Sequence, residues 1–159
     1  MKKSIISVLL VLVFLMTASL AVFAHPESVA DGSQGTVSNL ITIKKPDTAT
    51  TSTVKTTYSI TGVGSEGVSV CFYVHDGEKY APQKNSDGTI ATYTIGSSGV
   101  FYRQIALKEG DNRICVRAEA PDGGYQLAYV TISVVSATVV TDINSFSLNM
   151  QSKLNGWLN

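Results

Sequence analysis

From Leu40 to Val135 the apolar residues tend to recur every second position, the period of a strand with one buried face. "LITIKKP" alternates and stops at a proline, and the threonine-rich "TATTSTVKTTYSITG" favours extended backbone over helix. Five more runs read as strands: Val68 to Val74, Ile90 to Ile95, Val100 to Leu107, Asn112 to Ala120 and Leu127 to Val135. Between them, "HDGE", "SDGT", "EGDN" and "PDGG" supply the Gly, Asn and Asp that tight turns need. Short strands at this rhythm predict an antiparallel β-sandwich and argue against alternating strand and helix.

Two positions break the pattern. In "VSVCFYV" the apolar face carries Val68, Val70, Phe72 and Val74, which leaves Cys71 beside Ser69 and Tyr73 on the face expected to meet solvent. Arg103 falls on the same alternation as Phe101, Ile105 and Leu107. A bulge or an open sheet edge would explain it, and so would a buried charge with a partner.

After the last strand the period lengthens. In "TDINSFSLNMQSKLNGWLN", Ile143, Phe146, Met150, Leu154, Trp157 and Leu158 share one face at helical spacing, with Leu148 off it. Thr141 or Asp142 is placed to cap an amphipathic helix of about four turns. Its apolar side needs a cover, which could be its own sandwich, a partner chain or a membrane surface. Lys153 is its only basic residue, which disfavours the membrane.

At the other end, "MKKSIISVLLVLVFLMTASLAVFAHP" has a basic start, an apolar run and small residues before His25, the layout of a secretory signal peptide cut after Ala24. Ser19 and Ala21 offer an earlier site, and a retained anchor is the other reading of the apolar run. The expected organisation is therefore a signal peptide over 1–24, a flexible leader over 25–37, a sandwich over 38–136, and a linker with the amphipathic helix over 137–159. Loss of Lys2 and Lys3 leaves 10 of the 12 basic residues against 12 acidic ones, a net charge of −2 that gives no reason to propose nucleic acid.

The run "TIGSSGVFYRQIALKEGDNRICVRAEAPDGG" resembles the second half of bacterial Ig-like domains from secreted and surface proteins of Gram-positive bacteria. Gly99, Phe101, Leu107, Gly110, Asn112, Ile114 and Val116 carry the likeness, and "YSITGVGSEGVSV" is similar to the first half. The resemblance implies an all-β, Ig-like or fibronectin-III-like sandwich of about seven strands, followed here by the C-terminal helix. It also implies that the strand of Val68 to Val74 pairs antiparallel with that of Asn112 to Ala120. Setting Cys71 opposite Cys115 then makes Phe72 face Ile114, Val70 face Val116 and Val68 face Ala118. A cross-strand disulfide between Cys71 and Cys115, outside the core, is the expectation, worth about 4 kcal/mol in the chain-entropy model.

Candidate chemistry is sparse. No nucleophile triad, zinc motif, phosphate loop or calcium loop is present. Cleavage after Ala24 would give His25 a free α-amine beside its imidazole, a copper-chelating pair to which His75 could add a second ring. Ser69, Tyr73, Arg113, Arg117 and Tyr129 should cluster near the cysteines on the outer sheet face, a composition suited to binding. Phe146, Met150, Leu154 and Trp157 are the candidate helix interface. The sequence thus predicts a secreted or envelope-associated, non-enzymatic Ig-like module. It would need no cofactor, bind a protein or envelope component or itself through the helix, and keep no membrane span after signal cleavage. A copper or oxidative protein using His25 and His75, or a carbohydrate-binding module, are the alternatives.

Overall fold

The computed structural model describes residues 25–157. The signal peptide predicted over 1–24, and Leu158 of the apolar stripe, lie outside the described residues. The described residues form, in order, β1 (Ile41–Lys45), β2 (Thr50–Thr53), β3 (Thr57–Gly64), β4 (Ser69–His75), β5 (Tyr80–Pro82), β6 (Thr92–Thr94), β7 (Val100–Ala106), β8 (Gly110–Glu119), β9 (Tyr125–Val134) and α1 (Ala137–Trp157). One sheet has the order β1-β3-β7 and the other β2-β9-β8-β4-β5, with β6 also paired to β4. This is an Ig-like β-sandwich.

The strand count exceeds the expected seven because short segments pair at the edges. After β1 the chain changes sheets, and β2 pairs parallel with β9, the one parallel pairing among the described strands. Gly77, Gly88, Gly110 and Gly123 take positive φ at the four turns anticipated from the sequence.

Between the sheets, Ile41, Ile60, Phe101 and Ile105 of the smaller one meet Val70, Phe72, Ile114, Val116, Val130 and Ile132 of the larger. Phe72 and Phe101 make a tilted ring contact at 6.2 Å. Arg103 stays half-buried on β7 without a bulge, because β7 is an edge strand and its Nε donates to Gln83 Oε1 at 3.2 Å. The partner is neutral, and the open edge lets water share the charge.

The β4–β8 register differs from the expected one by two residues. Cys71 faces Arg117, Tyr73 faces Cys115, Phe72 faces Val116, and Val70 faces Ala118. A slip of two keeps every side chain on its own face, so face matching cannot distinguish this register from the one with Cys71 opposite Cys115.

Where β3 pairs with β7, Gly62 stands opposite Phe101 and lies against its ring. A Cβ built there would sit 2.7 Å from Phe101 Cε1 and from the backbone oxygen of Thr42. Gly62→Val should therefore overpack the core by roughly 2 kcal/mol and lower Tm by about 10 °C. Thermal unfolding followed by circular dichroism checks this, and an unchanged Tm would contradict the packing described.

Candidate functional site

Strands β4 and β8 bury both of their faces: Val70, Phe72, Ile114 and Val116 point into the sandwich, while Cys71, Tyr73 and Cys115 point away from it and are equally inaccessible. Their cover is the segment 25–37, expected as a flexible leader and found instead as a strap across the larger sheet. Val29 exchanges backbone hydrogen bonds with Tyr80 at 3.0 and 2.9 Å. The backbone carbonyl of Pro26 accepts from Tyr73 Oη at 3.0 Å, and that of Ser33 accepts from Tyr129 Oη at 2.8 Å. Thr36 and Val37 then donate to the carbonyl of Tyr125 at 2.8 and 3.1 Å, which extends the strap along β9.

Under the strap, Val29, Cys71, Tyr73, Tyr80 and Cys115 form a second apolar cluster. Both cysteines are free thiols. This corrects the expected disulfide: the two-residue shift sets the cysteines diagonally across the ladder, and the face that should have been wet is sealed. Burial pushes the thiol of Cys71 up to about 11 and that of Cys115 to about 12, so neither is a reactive thiolate near neutral pH.

The residues expected as a binding face are neighbours, but the strap and adjacent strand residues already engage their functional groups. Arg113 bonds Asp31 of the strap at 2.6 Å, with its guanidinium 5.7 Å from the Tyr80 ring centre. Tyr80 in turn contacts Tyr129 at 5.4 Å and His75 edge-on at 4.9 Å. Arg117 bonds Glu119 at 3.0 Å and stacks over Tyr125 at 3.9 Å. Tyr73 is completely buried, so its ring cannot stack on a sugar. What remains open is a shallow cleft of about 270 Å³ at the strap's turn, lined by Asp31, Ser33, Tyr80, Arg113 and Tyr129 among others. Asp31 and Tyr80 were missed by sequence reasoning. The only signal for them was Val29, the one bulky apolar residue in the polar run from His25 to Thr36.

His25 and His75 lie near opposite ends of the same strand and do not share a site. His25 is buried, with Nε2 2.9 Å from Ser69 Oγ and Nδ1 3.8 Å from Glu119 Oε2. Burial holds its imidazole below the usual 6.5 and outweighs the opposing pull of Glu119. His75 accepts from the Gly77 N–H through Nδ1 at 3.1 Å, which leaves the proton on Nε2, 4.0 Å from Asp31. Six residues of strand separate Ser69 from His75, about 20 Å. Copper chelation by the pair is therefore not supported by the geometry.

The helix is longer than expected. It begins at Ala137, so Thr141 and Asp142 lie inside it, and Ser136 stands at the position that favours a cap. Among the described residues it makes no extensive contact with any strand. Phe146 is 69 % exposed and Met150 47 %, and Ile143, Leu148 and Leu154 are as open. Trp157 closes the helix. Among the described residues no helix is long and apolar enough to cross a membrane.

Two outcomes follow for the strap. In native protein at pH 8 both thiols should resist an aromatic disulfide reagent, and removal of residues 25–34 should make them react at least tenfold faster; fast labelling of the intact chain would mean the strap does not seal them. The second outcome concerns pH. An unfolded imidazole titrates near 6.5, and the folded His25 resists the proton, so the unfolded state gains protons first on acidification. Stability is full above about 6.5 and declines as pH falls toward the lower folded value. Asp31, Asp76 and Asp87, each held below 3.8, lose their contribution only in stronger acid. Tm should thus fall between pH 7.5 and 5.5, and less so in His25→Gln.

No protein-family model and no curated protein sequence matches the chain. Among solved structures, the fibronectin(III)-like modules of Clostridium thermocellum CbhA are similar at 21 % identity, over 61 % of this chain and 98 % of that one, with a TM-score of 0.41. A likeness that distant adds nothing about activity or ligand, and the fold assignment rests on the two-sheet topology above.

Proposed function

We propose that this protein is an exported, non-enzymatic Ig-like module that uses its C-terminal helix as an interaction element, toward a protein or a component of the cell envelope. One observation carries the reading: Ile143, Phe146, Met150 and Leu154 line an apolar stripe that the protein's own sandwich leaves uncovered. Exposed apolar area of this kind marks an interaction site. The larger sheet offers a poorer surface, because the strap already occupies Tyr73, Tyr129 and Arg113.

Export is supported by the basic and apolar start of the chain. Cleavage after Ala24 would leave the docked His25 as the first residue, with nothing ahead of the strap to be accommodated.

Removal of residues 137–159 should leave Tm within about 2 °C, because the helix adds no packing to the core. The same truncation should abolish self-association or partner capture, read by analytical ultracentrifugation and pull-down. Unfolding of the truncated chain would make the helix part of the core and sink this reading. The intact mass of the secreted protein should begin at His25 and stay the same on reduction; a rise of about two daltons would show a bridge between Cys71 and Cys115.

A further inference from the structure

The helix carries two charged residues, Asp142 and Lys153, both exposed. Eleven residues separate them, so at 100° per residue they project within about 20° of each other, on the same flank of the apolar stripe. They are about 16 Å apart along the axis, too far to pair within one helix. Among the described residues neither takes part in an ion pair.

We propose that the cover for the stripe is a second copy of the same helix, packed antiparallel about a two-fold axis between Ser147 and Leu148. The inference rests on the reading of the helix as an interaction element and names its occupant. A two-fold axis perpendicular to the helices lays each flank of one against the same flank of the other. Centred there, it sets Asp142 of each copy level with Lys153 of the other, forming two symmetric ion pairs.

The apolar residues obey the same symmetry. Phe146 comes level with Met150 of the second copy to within one residue, about 1.5 Å, and Ile143 with Leu154 to within two, about 3 Å. By position, Val139 and Trp157 match in the same way. One axis thus pairs opposite charges and apolar residues together. A parallel pair does not: its flanking charges lie three turns from any opposite one. The near-zero charge of the helix favours a like helix as its partner over an anionic membrane.

Sedimentation equilibrium of the mature full-length chain tests the pairing. The wild type should dimerise. Asp142→Lys and Lys153→Asp should each weaken dimerisation roughly tenfold, from lost pairs and new like-charge contacts in both symmetric positions. The double exchange should restore it, and the two single variants, mixed, should form a heterodimer. A dimer indifferent to both reversals, yet abolished by removal of 137–159, overturns the antiparallel register and leaves the helix as the interface. A chain monomeric at every concentration overturns self-pairing, including one that co-sediments with phosphatidylglycerol vesicles or captures another protein.

Discussion

Burial of β4 and β8 on both faces is the constraint from which the rest of this molecule follows. The smaller sheet can cover only one side of the larger, and Cys71, Tyr73, Tyr80 and Cys115 are too apolar in sum to face water. The strap resolves this by presenting Val29 to the apolar cluster and its own carbonyls to the hydroxyls of Tyr73 and Tyr129. Tyr73 can therefore keep its ring dry, and both hydroxyls stay bonded. The silence of the cysteines and the depressed basicity of His25 are both consequences of that second cover.

Strand alternation, the Gly-containing turns and the change of period after Val135 were legible in the sequence, because each is a local property of consecutive residues. The register of β4 on β8 was not, since a period of two makes slips by an even number invisible to any argument about faces. The leader was misread for a related reason. A strap held by backbone groups and by side chains of distant strands leaves almost no trace in its own composition, in which Val29 and Val37 are the bulky apolar residues. The start of the helix also escaped notice, because Thr138, Val139 and Val140 are β-branched and suggest a continuing strand.

Sandwich and helix stand in unequal positions. The sandwich closes its own core and seals its outer sheet. The helix is built largely from residues of modest helical propensity, with threonine, valine, asparagine and serine at many positions, and among the described residues it makes no extensive contact with the strands. Its persistence and its interactions are consequently one thermodynamic question, in which whatever covers the stripe also stabilises the backbone beneath it.

The strap also imposes an order of events. Its bonds join residues far apart in sequence, Asp31 to Arg113 and Ser33 to Tyr129, so its binding surface does not exist until β8 and β9 have been added to the sheet. Contacts of that separation form late, after closure of the longest loops in the chain. The first residues of the described chain to leave a ribosome or a translocation pore are therefore among the last to reach their places. Until then the polypeptide travels with two unprotected thiols.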